Sequence, residues 1–168
     1  MSDRKIGILA LGNLLRKDEG VGQHILERLR YLLPEQIDLL DGGTSGMELL
    51  GFLEDKECLL VLDAVDVGGK PGDVVMWEEE SIPCYTEHKL SAHQMNFAEV
   101  LYWSHVIGAA PDKIAVIGVQ PESLAWGMGL SSSVQESIPL AIEKVKTCLC
   151  NWKIPIHQDE NVNLKKVN

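Results

Sequence analysis

The sequence predicts an α/β domain with a largely parallel sheet, and three observations carry that prediction. Apolar runs of strand character alternate along the chain with stretches of helical period. The 168 residues are 45% hydrophobic and 24% charged, the profile of one globular domain with a substantial core. One link between strands is too short for a crossover helix, so one strand should run against the others.

The first buried strand is "KIGILAL" (5–11). "EGVGQHILERLRYLL" follows with Val21, Ile25, Leu29 and Leu32 on one helical stripe, and Pro34 closes it. "QIDLLDGG" is a second strand running into a glycine pair. In "TSGMELLGFL", Ser45 and Glu48 have capping-box spacing, which starts a short helix at Ser45. "ECLLVLDAVDVGG" holds the third strand, ending at Asp63. "GKPGD" is turn chemistry, so the fourth strand, "DVVMWEE" (73–79), runs antiparallel to its predecessor. "LSAHQMNFAEVLYWSHVIG" reads as the third helix, with Ser91 and Gln94 at capping-box spacing. "KIAVIGVQP" is the fifth strand, closed by Pro121. The last helix, about Ser133 to Leu149, presents Val134, Ile138, Ala141, Ile142, Val145 and Leu149 on one face, with Pro139 in its first turns or kinking it. From Ile154 the periodicity ends, so the domain is expected over 1–153 and an irregular tail over 154–168.

Composition narrows the function. A formal charge of −10 opposes binding to nucleic-acid phosphates, which need clustered Lys and Arg, and favours neutral or locally basic protein partners. No stretch of ~18 apolar residues could span a bilayer and no signal-peptide pattern opens the chain, so a cytoplasmic location is expected. The four cysteines lack zinc-knuckle or disulfide-scaffold spacing and read as reduced thiols; Cys148 and Cys150 fall on different faces of a helix. H-E-x-x-H, G-x-S-x-G and the phosphate-binding G-x-x-x-x-G-K-[ST] are absent from the sequence, as is the dinucleotide glycine pattern.

In open α/β sheets, ligands gather beyond the carboxyl ends of the strands, where crossovers diverge to opposite faces. Asp18 and Glu19 follow the first strand and Asp63 ends the third, and these strands are neighbours in the common 2-1-3 arrangement. His93 falls in the first turn of its helix, where the positive dipole end favours the neutral imidazole that can bind a metal. Two carboxylates and one imidazole suit a divalent metal with open positions. Each has a plainer role available: Asp18 and Glu19 as cap and first-turn acid, Asp63 as turn former with Asp66 as rival, His93 as a cap-region histidine. His24, His88, His105 and His157 have no comparable setting. The glycines of "DGGTSG" serve either a sharp turn or the close approach of a ligand's backbone, which makes Gly42, Gly43 and Thr44 candidate substrate-binding residues.

"ALGNLLRKDEGVG", "DGGTSGMELL", "LVLDAV", "KLSAHQ" and "GVQPESL", in that order from about residue 5 to 149, resemble the hydrogenase maturation endopeptidases. The resemblance implies a three-layer α/β/α sandwich with a five-stranded sheet, one strand antiparallel. It implies an enzyme that removes a C-terminal extension from the precursor of a nickel-iron hydrogenase large subunit after nickel insertion. The family's metal-binding positions fall here on Glu19, Asp63 and His93. Relatives usually carry glycine where this chain has Ala10, a difference that an extended backbone tolerates. The expected cofactor is nickel supplied by the substrate, whose occupancy licenses cleavage; no residue stands out as the nucleophile. A zinc-type metallopeptidase with another peptide substrate and a non-catalytic chaperone of the nickel-loaded subunit are the alternatives.

Overall fold

The computed structural model describes residues 5–78, 82 and 92–156; in the third helix, side chains are described from Phe97 onward. Five strands form one sheet: β1 (Ile6–Leu11), β2 (Ile37–Gly43), β3 (Cys58–Ala64), β4 (Val74–Glu78) and β5 (Lys113–Val119). Their spatial order is β2-β1-β3-β5-β4, with only β4 antiparallel. β4 does run opposite to β3, as the short link requires, but it pairs with β5, which lies between them.

Helices α1 (Val21–Leu29) and α4 (Ser132–Asn151) cover one face of the sheet, where Ile25, Leu29, Ile138 and Val145 meet Ile8, Leu60 and Ile117. The short α2 (Leu50–Leu53) and α3 (Ala92–Val106) cover the other, where Leu53, Phe97 and Val100 meet Leu9, Leu59, Val61 and Val116. The result is a three-layer α/β/α sandwich. Strand alternation explains the sorting: even-numbered residues of β1 and β3 face α1 and α4, and odd-numbered ones face α2 and α3. Strands covered on both sides read as continuous apolar runs, and β1 and β3 are buried along their whole length.

Local expectations failed in two places. α1 ends at Leu29, ahead of Pro34, because the chain tightens there through i→i+3 bonds from Tyr31 to Arg28 and from Leu32 to Leu29; Leu32 is 42% exposed, off the buried stripe. The helix expected from Ser45 starts at Met47 as a single 3-10 turn leading into α2, because the Glu48 carboxylate accepts the Gly46 N–H at 3.0 Å instead of closing a box with Ser45. The box proposed at Ser91 and Gln94 lies outside the described residues and side chains. α4 buries all six apolar residues of its expected face and carries Pro139 inside it. Beyond it, Trp152 and Ile154 are buried on the α1 and α4 side and Ile156 packs against them; the rest of the tail is outside the described residues.

Candidate active site

The crossovers diverge between β1 and β3. From β1 the chain passes through α1 on one face to reach β2, and from β2 it passes through α2 on the opposite face to reach β3. This is the switch point, and its crevice opens at the carboxyl ends of the two strands.

After Leu11 the backbone turns at Gly12, whose φ is +135°. A Cβ there would lie 1.9 Å from the Glu19 carbonyl oxygen, so only glycine lets the Glu19 turn fold back onto the strand end. Gly12 N–H bonds the Gly43 carbonyl at 3.0 Å, and the Gln23 side-chain amide donates to the Gly12 carbonyl at 2.9 Å. Asn13 accepts the Leu15 N–H on its side-chain oxygen, an Asx turn. A 3-10 turn over Lys17–Gly20 then carries both acids into α1, with Lys17 held at φ 43°. At Gly22 a Cβ would meet the carbonyl oxygens of Leu62 and Leu11 at 2.6 and 2.7 Å, so α1 starts in direct contact with the ends of β3 and β1.

The adjacent acids have separate fates. Asp18 caps nothing in its own helix, contrary to the expectation of a local cap. Its carboxylate is fully buried and accepts the N–H groups of Glu122 and Ser123 (each 2.9 Å) and of Ser131 (2.7 Å), together with the Ser131 hydroxyl (2.9 Å). Burial pushes its pKa up, but the bonds from Ser131, Ser123 and Glu122 outweigh it and hold the carboxyl below its ordinary value. Asp18 therefore fastens the β1–α1 turn to the loop between β5 and α4. Sequence reading missed that partnership because the partners lie more than 100 residues away. Glu19, 4% exposed, faces a different neighbour: the Arg16 guanidinium is 3.7 Å from its carboxylate.

Asp63 is 1% exposed at the end of β3, and one of its oxygens accepts the Ala64 N–H at 2.8 Å. By alternation with Leu59 and Val61 it belongs to the α3 side of the sheet. Its rival Asp66 is an exposed turn former that accepts the Gly68 N–H and the Gln120 side-chain amide. His93 lies in the first turn of α3; its side chain lies outside the described ones. Because α3 descends to β5, its first turn stands at the carboxyl edge of the sheet, the edge that carries Glu19 and Asp63.

Among the described residues no three His, Cys, Asp or Glu side chains gather to hold a metal, and the third proposed ligand falls outside that set. Two buried carboxylates at neighbouring strand ends do supply hard oxygen donors of the kind a divalent cation uses. Gly42 is explained by packing, since a Cβ would lie 2.7 Å from Leu9, whereas Gly43 takes a φ of +51° to make the turn and Thr44 is exposed beside it. The C-x-C pair does split: Cys148 is buried and Cys150 exposed. Burial, reinforced by the neighbouring Glu78, pushes the Cys148 thiol up to about 12, which leaves it protonated and a poor ligand.

A three-layer α/β/α domain with buried acids at its switch point belongs to the class of open-sheet proteins that bind ligands at their strand ends, and the fold by itself does not choose the chemistry. The family described as hydrogenase maturation protease (HycI) matches residues 24–147, and the chain belongs to that family. The hydrogenase 2 maturation protease of Escherichia coli (strain K12) is 39% identical over 148 residues, 86% of this chain and 90% of that protein. The hydrogenase expression/formation protein HupD of Bradyrhizobium diazoefficiens is 35% identical over 158 residues, covering 92% and 82% of the two chains. Among solved structures, the hydrogenase maturating endopeptidase HybD from E. coli superposes with a TM-score of 0.83 at 37% identity over 88% of this chain and 93% of its own. The [NiFe] hydrogenase maturation protease HybD from Thermococcus kodakarensis does so with a TM-score of 0.73 at 28% identity, over 86% and 98%. Membership in this family makes the chain an endopeptidase and sets aside the non-catalytic chaperone. Among the described residues, no helix is long and apolar enough to cross a membrane.

Proposed function

We propose that this endopeptidase removes the C-terminal extension from the precursor of a nickel-iron hydrogenase large subunit, in the cytoplasm, after nickel has been inserted. The observation that carries the reading is the pair of buried carboxylates, Glu19 and Asp63, at the ends of adjacent strands in a chain of this family. Glu19, Asp63 and His93 are assigned as the groups that bind nickel, which arrives as part of the substrate. Gly43 and Thr44, at the end of β2, are assigned to the backbone of the bound segment, while Gly42 keeps the packing role that its contact with Leu9 requires. Thr44 is exposed there, and the turn at Gly43 is tied to Gly12.

Two acids and one imidazole on three separate segments give a site that metal in the substrate would complete. Binding nickel there holds the precursor's cut site in the crevice, so recognition contributes through proximity and orientation. The chain's own part is to position: Gly12 and Gly22 set the acid-bearing turn against β1 and β3, and Asp18 locks it to the β5–α4 loop. The test is mass spectrometry of the precursor's C-terminus after incubation with the intact protein and with Glu19→Gln, Asp63→Asn and His93→Ala. The expected result is a shortened product with the intact protein and a loss of about a hundredfold or more in rate for each variant. Full activity in all three folded variants would remove the assignment.

A further inference from the structure

We propose that the loops after β1 and β5, residues 13–18 and 121–131, form one rigid apolar docking face for the segment of the precursor that flanks its cut site; the proposal rests on the function assigned above. Five large apolar side chains are exposed on these loops: Leu14, Leu15, Leu124, Trp126 (76% exposed) and Met128 (79% exposed). Apolar side chains grouped on a surface mark interaction sites, with Trp foremost among the residues that dominate binding energy.

The loops are built as one unit. The Lys17 N–H donates to the Gly127 carbonyl and the Gly127 N–H to the Leu15 carbonyl, both at 2.8 Å. The Arg16 guanidinium donates to the Leu124 carbonyl through Nε at 3.1 Å and Nη2 at 2.9 Å, and lies 5.7 Å from the centre of the Trp126 ring. Asp18 adds the buried anchor beneath. A surface ordered in advance loses little entropy when a partner lands on it, so its apolar area converts more fully into affinity.

Continuity with the site identifies the occupant. The Arg16 side chain that ties Leu124 and lies against Trp126 also stands 3.7 Å from the Glu19 carboxylate, so this face adjoins the place where the precursor's cut site is assigned. Arg16 and Lys17 border it in a chain of net charge −10, which fits an apolar segment without basic residues. A further exposed apolar group among the described residues, Tyr102, Trp103, Val106 and Ile107 at the far end of α3, stands at the amino edge of the sheet, away from the site.

Cleavage kinetics on nickel-loaded precursor test the proposal, comparing the intact protein with Trp126→Ala, Met128→Ser and the remote control Tyr31→Ala, alongside sedimentation of the protease alone. Trp126→Ala and Met128→Ser should each raise KM by about tenfold with kcat held within about twofold, and Tyr31→Ala should match the intact protein. Unchanged KM in both loop variants, or a fall in kcat alone, overturns the docking face while the assigned function stands. Failure of the intact protein to cut the precursor overturns both. A dimer of the intact protein that Trp126→Ala dissociates would assign the face to a second copy and also overturn the proposal. Should Trp126→Ala fail to fold, the shallower Met128→Ser decides by the same readout.

Discussion

Asp18 and Glu19 are neighbours in sequence with opposite duties, and each duty has its own signature. Asp18 accepts four hydrogen bonds while fully buried, so Asp18→Asn replaces acceptor oxygen with an amide that confronts donors. The expected cost is about 3 kcal/mol, a fall of roughly 10 °C in Tm for a chain of this length. The sign of the pH dependence follows from the direction of the shift. A carboxyl held below its ordinary value in the folded state contributes fully above the unfolded value and loses that contribution as pH falls through the folded one. The stability gap between intact protein and Asp18→Asn should therefore be constant from neutral pH down to about 4 and narrow below it, as denaturant unfolding at a series of pH values would record. Glu19→Gln keeps the shape of a buried side chain and should still give a folded protein by circular dichroism, yet cut the cleavage rate by about a hundredfold or more.

At the scale of elements, the β1–turn–α1 unit is a construction of close approaches. Gly12→Ala would drive a methyl into the Glu19 carbonyl at a φ that disfavours any side chain, with an expected loss of ~3 kcal/mol or more. Because that clash moves the turn bearing Glu19, any Gly12→Ala protein that folds at low temperature should still fail to cleave. Alanine at Ala10, two residues earlier, is harmless because it lies in extended strand facing the α1 and α4 layer. What could be read in advance at this scale was whatever depends on short-range pattern: five strands, the opposed fourth strand, and the buried face of α4. Leu32 misled because helical spacing continues past the residue where the backbone tightens. Glu48 misled because its side chain had a nearer donor, Gly46, than the one capping-box spacing implies. Neither choice is encoded in spacing alone; both are settled by local geometry.

At the scale of the molecule, topology does what no single motif does. The order β2-β1-β3-β5-β4 sets the ends of β1 and β3 side by side and brings the first turn of α3 to the same edge. The turn bearing Glu19 and the end of β3 bearing Asp63 thereby share one edge, and β1 and β3 were legible in the sequence because strands buried on both faces read as continuous apolar runs. The reach of Asp18 to Glu122, Ser123 and Ser131 was not legible, since it depends on how the β5–α4 loop folds over the turn. Nor was the joining of Arg16 to Leu124 and Trp126, which makes two distant loops one surface.

Recognition of substrate-borne nickel by Glu19, Asp63 and His93 is the proposal on which the assigned function turns. The most direct measurement is the C-terminal mass of two precursor preparations, one nickel-loaded and one nickel-free, each incubated with the same excess of protease. The expected result is complete shortening of the first and no shortened product from the second. Equal cleavage of precursor shown to contain no nickel would contradict it.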